Sequence, residues 1–218
     1  MRPSVIPLTI LLAAGPLLIS PARCQTAPLN SEIQITKLEA TFVDSPKLAG
    51  GYAKKSSGRP GQWLEFEVTF DRAADPKAPK YGDDLTFNYY ILLKNESVTE
   101  DRKPNLLTGT VTHTHTPQEK GLHAVAYVSP RTLAKFFDDK VPVNAQQALT
   151  DYGVTISGKS GLLALAASKP AGVRGDKGWW DVPGSFTAVP GFVLSKDQTP
   201  FASLEWDYFE PVKPKSSN

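Results

Sequence analysis

Cysteine is almost missing from this chain. The single one, Cys24, stands near the amino end of 218 residues, so no disulfide can form within the chain and burial must hold the fold. An excess of either charge is missing too, with 24 lysines and arginines against 22 aspartates and glutamates. A near-neutral protein is a poor partner for nucleic acid, and none is expected. Long apolar runs are absent after the first twenty residues. The one at the start, Val5 to Ile19, is broken by Pro7 and Pro16 and falls short of the roughly 20 apolar residues that a transmembrane helix needs. Catalytic signatures are also lacking: there is no glycine-serine-glycine elbow and no paired-histidine zinc helix motif. No enzyme and no cofactor are expected.

The amino end supplies an address. Arg2, the short apolar run and the small residues before Gln25 form the pattern of a secretory signal peptide over residues 1–24. Lipidation of Cys24 is the competing reading, and Arg23 directly before it opposes that reading. Cleavage after Cys24 removes Arg2 and Arg23, which leaves 22 charges of each sign. The expected location is therefore export to the periplasm, the cell surface or the medium. Residues 25–30 read as a lead-in, 31–212 as one β domain, and 213–218 as a disordered polar tail.

Strand patterns fill the domain. In "WLEFEVTFD", Leu64, Phe66, Val68 and Phe70 alternate with Glu65, Glu67 and Thr69, the period of a strand with one packed and one wet face. "LTFNYYILLKN" repeats the scheme, and Tyr90 and Leu92 on its second face predict a central position. "EIQITKLEATFV" changes phase between Ile35 and Leu38, as a bulge or a switch of sheet would require. Further strands are expected in "NLLTGTVTHTHT", "GLHAVAYVS", "DYGVTIS", "GLLALAAS" and "PFASLEWDYFE". "SPRTLAKFFDD" alone reads as a helix, with Ser129 as N-cap and Pro130 at the first position. Seven or eight strands, one short helix and no alternation of strand with helix predict an all-β fold, an antiparallel immunoglobulin-like β-sandwich with long loop insertions.

The exported leader, "EIQITKLEATF", "WLEFEVTFD", "LTFNYYILL" and "TPFASLEWDYFE" together resemble a family of secreted verrucomicrobial proteins linked to the type IV pilus operon of Akkermansia-type bacteria. That resemblance covers roughly Ser31 to Val212. It implies an immunoglobulin-like fold related to archaeal pilus subunits and a role at the pilus or cell surface. No catalytic residue is carried over from it.

Several motifs invite sharper readings. "GVTISGKS", Gly153 to Ser160, matches the phosphate-loop pattern, yet Val154, Thr155 and Ile156 favour an extended strand, so Ser157 to Gly161 is read as a hairpin turn. Arg174, Gly175 and Asp176 form an RGD tripeptide in a glycine-rich loop. Beside it Trp179 and Trp180, if in a strand, must point opposite ways, so one can fill the core and the other can meet a sugar ring or a partner. The sequon Asn95 to Ser97 matters only in a eukaryotic secretory route. Glu65 and Glu67 read as solvated charges on a wet strand face.

All three histidines lie in "THTHTPQEKGLH". A five-residue loop over Pro117 to Gly121 would pair Thr116 with Leu122 and His115 with His123, placing His113, His115 and His123 on one face. A loop one residue shorter turns His123 away. Glu119 sits in the turn and cannot brace a ligand from there. The reading adopted is an exposed polar face with no metal site.

The function expected from the sequence is an exported, non-enzymatic protein of a type IV pilus-like or cell-surface assembly, with protein partners bound through loops or a sheet edge. The alternative is a glycan- or host-surface-binding module using Trp179 or Trp180, with Arg174 and Asp176 beside them. A metal-dependent hydrolase built on the histidines is a third reading. Oligomeric state is not legible.

Overall fold

The computed structural model describes residues 26–29, 32–46, 61–77, 79–94, 103–205 and 207–214. The leader with Cys24, the Asn95–Ser97 sequon, Trp206 and the last four residues lie outside the described residues. Among those described, no helix is long and apolar enough to cross a membrane.

Alternation in the sequence becomes alternation in burial. Along β3 (Gln62–Arg72), Leu64, Phe66, Val68 and Phe70 are buried while the glutamates between them are half-covered. β2 (Ile33–Asp44) pairs with β3, and its register steps from Ile35 opposite Phe70 to Lys37 opposite Thr69. Thr36 is therefore an extra residue. The bulge lets both Ile33 and Ile35 before it and Leu38 and Ala40 after it face inward.

Among the described residues, two sheets form the sandwich. One has four strands, in the order β12 (Val193–Ser195), β6 (Leu122–Val128), β3 and β2. The other has six, in the order β1 (Thr26–Pro28), β8 (Gly161–Ala167), β7 (Leu149–Gly158), β4 (Leu85–Leu93), β5 (Asn105–His113) and β11 (Thr187–Pro190). β4 lies between β7 and β5, the central place its two apolar faces predicted. Pairing is antiparallel throughout, except that β11 runs parallel to β5. Thr26 to Pro28, read as part of a lead-in, form a strand against β8. Lys159 and Ser160 make the turn between β7 and β8, so the phosphate-loop lookalike is a hairpin.

The inner faces share one core. Phe70 meets Phe87 edge-on at 5.3 Å and Phe66 meets Tyr152 at 5.5 Å, and each such side chain contributes about 1.5–3 kcal/mol by leaving water. Leu133 and Phe136 of α1 (Pro130–Phe136) join that core. Ser129 caps the helix as expected, its Oγ accepting from the amide of Thr132. A second, single-turn helix, α2 (Ala145–Ala148), was not anticipated.

One expected strand is absent. "PFASLEWDYFE" forms turns in its described residues, and only Val212 beyond it makes an isolated bridge, to His113. This segment packs its aromatic side chains on a sheet face instead: Phe201 stacks on Tyr127 and Tyr208 on His123. It covers the outer face of the four-stranded sheet, where Phe209 packs with Trp63, Val125 and Tyr127.

Candidate functional site

The proline- and glycine-rich segment after β8 covers the outer face of the six-stranded sheet. It comprises a 3-10 turn (Pro170–Gly172), a two-stranded hairpin of β9 (Val173–Arg174) and β10 (Lys177–Gly178), and a second 3-10 turn (Trp179–Asp181). The two tryptophans thus lie in a turn, not in a strand. Asp181 supplies the reason: its Oδ2 accepts from the amide of Gly178 at 2.8 Å and winds the chain back on itself. Helical winding does not send neighbouring side chains to opposite faces as a strand does.

Trp180 is an anchor. Its ring stacks on Tyr90 at 4.5 Å with planes 5° apart, and it packs with Leu106, Leu165 and Ala167. Two glycines make room for it: a Cβ at Gly153 would come within 2.0 Å of the indole, and one at Gly178 within 2.2 Å. Burial beneath this ring raises the pKa of the Tyr90 hydroxyl. Trp179 is different. It is half-buried, held nearly at right angles by Trp180 and Phe186, and no ring lies parallel to it among the described residues. The indole N–H of each tryptophan lies out of water and without an acceptor.

A groove of about 530 Å³ runs beside Trp179, lined also by Gly172, Arg174, Lys177, Asp181, Val182 and Pro183. The hairpin explains the presence of Arg174: Gly175 has φ +63°, which turns the chain and sets Arg174 opposite Lys177. Asp176 is exposed at the tip and does not line the groove. Of the four residues anticipated, then, Trp179 and Arg174 come together here, Trp180 supports them from beneath, and Asp176 stands apart. Lys177, Asp181 and Val182 were missed. Their shared loop and the hairpin pairing were the available signals.

The histidines do not form the expected face. β5 and β6 belong to opposite sheets and do not pair, so the hairpin register that would have joined the three rings does not exist. His113 is fully buried, edge-on to Phe87 at 5.0 Å, and its Nδ1–H donates to the carbonyl of Glu210 at 2.9 Å. Burial pushes its pKa down to about 4. His115 is exposed at φ +55°. His123 is half-buried, with Nδ1 2.7 Å from Glu67 and its ring stacked on Tyr208 at 4.0 Å. The exposed polar face read from the sequence holds for His115 alone. Among the described residues, no group of three or more histidines, cysteines, aspartates or glutamates is placed to hold a metal ion.

Glu65 and Glu67 also depart from expectation. They are half-covered by the carboxyl-terminal segment, where Tyr208 donates to Glu67 at 2.9 Å. Burial raises the pKa of Glu65. Glu210 is pushed up to about 7, first by burial and then by the charge of Glu119.

Comparison with known proteins bears on the chain as a whole. The model of one protein family matches residues 25–216. No curated protein matches. A crystal structure from Akkermansia muciniphila superposes with a TM-score of 0.69 at 22% identity, covering 90% of this chain and 98% of that one. At that identity the likeness speaks for the fold.

Proposed function

The chain belongs to the pilus-related family of Verrucomicrobia that its sequence resembles, and from this premise we propose that it is an exported, non-enzymatic component of a type IV pilus-like or cell-surface assembly. The family match begins at Gln25, which fits a leader ending at Cys24.

The observation that best supports a binding role is the edge of the four-stranded sheet. β2 is twelve residues long and, among the described residues, pairs with β3 alone. An unpaired strand edge is a template for a strand from another chain. The bulge at Thr36 and the charged Lys37–Glu39 pair guard its first half, as edges that avoid pairing usually are. The stretch from Ala40 to Val43 carries no charge and no bulge, and is the part offered to a protein partner.

The reading is tested by placing a photo-crosslinking residue at the exposed Thr41 in a producing bacterium and shearing off the surface appendages. A crosslinked product with a protein of the sheared fraction is expected. Protein found only inside the cell, or only uncrosslinked in the medium, would contradict it.

A further inference from the structure

We propose that the groove beside Trp179 is a saccharide site, selective for a pyranose that carries a carboxylate or a sulfate. This goes beyond the assembly role and holds whether or not that role does.

Sugar rings are amphipathic: axial C–H groups make an apolar face, and hydroxyls ring the edge. A site for them needs an aromatic surface, a carboxylate or amide to receive hydroxyl protons, and donors for the remaining oxygens. The groove holds all three kinds. Trp179 is the aromatic wall and is already fixed between Trp180 and Phe186, so a ligand would lose little side-chain freedom in meeting it. Asp181 lines the same space with one oxygen bound to the amide of Gly178, which sets the orientation of the other. Arg174 and Lys177 stand opposite each other on the hairpin and both line the groove.

Charge selects the class of sugar. The lining holds two cations and one carboxylate, because Asp176 of the same turn lies outside it. A single excess positive charge in a concave site favours an anion, and a guanidinium presents two parallel donors to a carboxylate or sulfate. Val182 and Pro183, both exposed, add apolar lining. Trp180 could not play this part, since Tyr90 covers its face and Gly153 and Gly178 press on the ring.

The test uses the folded chain from Gln25 onward, with heparin-derived and chondroitin-sulfate-derived tetrasaccharides and trigalacturonate as acidic probes and cellotetraose and galactotriose as neutral ones. Calorimetry and tryptophan fluorescence are the readouts. At least one acidic probe should bind at about 1 mM or below, with the neutral probes about tenfold weaker. Trp179→Ala should weaken binding about tenfold. Val182→Glu, at an exposed position in the lining, should abolish binding while leaving the melting temperature unchanged, which keeps the test decisive if the tryptophan variant folds poorly. Absence of binding by all three acidic probes would overturn the proposal. So would binding that survives both Trp179→Ala and Val182→Glu, or that depends on Arg174 and Lys177 alone, since either would describe a diffuse charge contact.

Discussion

The outer faces of the two sheets are covered by opposite means. Over the six-stranded sheet the tryptophan loop is held by ring contacts: Trp180 on Tyr90, and Trp179 against Trp180 and Phe186. Over the four-stranded sheet the carboxyl-terminal segment adds a polar lacing to its rings. Glu210 donates its amide to the carbonyl of His123 on β6, while the amides of Thr114 and Lys213 join Pro211 and Thr112 across the segment's junction with β5. That segment therefore ties one sheet to the other. Its contacts also include ionisable groups, with His113 beneath Glu210 and Glu67 between His123 and Tyr208. Apolar packing does not change with pH, whereas a buried histidine does. The ring packing of the loop is therefore expected to be insensitive to pH, and the stability of the segment over His113 to depend on it.

Removing the anchor of the loop should have the largest effect. Trp180→Ala leaves a cavity over Tyr90, and a loss of about 3–5 kcal/mol in denaturant unfolding is expected. A loss below about 1 kcal/mol would mean that the loop covers the sheet without being packed on it.

Next comes the acid response of the segment. The pKa of His113 lies at about 4 in the folded chain against an ordinary 6.5. A depressed histidine means that folding releases a proton. Its contribution is complete above pH 6.5 and is lost as pH falls through 4, by about 3 kcal/mol in all. His113→Gln should flatten stability across that window, as followed by chemical denaturation at several pH values. An unchanged slope would remove His113 from the account.

Gly153→Ala sharpens the contrast from the loop's side. Its new methyl would meet the indole of Trp180, and overpacking of this kind costs about 1–3 kcal/mol. The cost should be the same at pH 5 and pH 7, since the new contact is between apolar atoms. The smallest effect is expected at Glu210, whose carboxyl is raised to about 7 from 4.5. A raised carboxyl contributes its stability below pH 4.5 and loses it as pH rises through 7, opposite in sign to His113. Glu210→Gln should thus give a small gain at pH 7 and none at pH 4.5, small because the side chain is half in water.

Much of the inner core was legible in the sequence and little of either cover was. Leu64 to Phe70 and Leu85 to Leu93 alternate because each strand has a dedicated inner face, and the slip between Ile35 and Leu38 could only be a bulge or a change of sheet. The covers obey no such period. Strand geometry would send Trp179 and Trp180 to opposite faces, but Gly178, Asp181 and Pro183 around them carry turn chemistry, and a 3-10 turn forms instead. The histidine hairpin failed for a topological reason: short spacing between β5 and β6 suggested pairing, but in a sandwich the chain can cross to the facing sheet over a similar span. The apolar Val125 and Tyr127, facing away from the core on β6, were the overlooked signal that something covers that side.

Hydrogen exchange followed residue by residue, with rates corrected for the intrinsic pH dependence, tests the contrast between the two covers most directly. Between pH 7 and pH 4.5 the amides of Thr114, Glu210 and Lys213 should lose protection while those of Ser168 and Thr187, which tether the tryptophan loop at its two ends, keep theirs. Equal loss at both sets, or loss at the loop alone, would contradict the assignment of the acid response to the segment over His113.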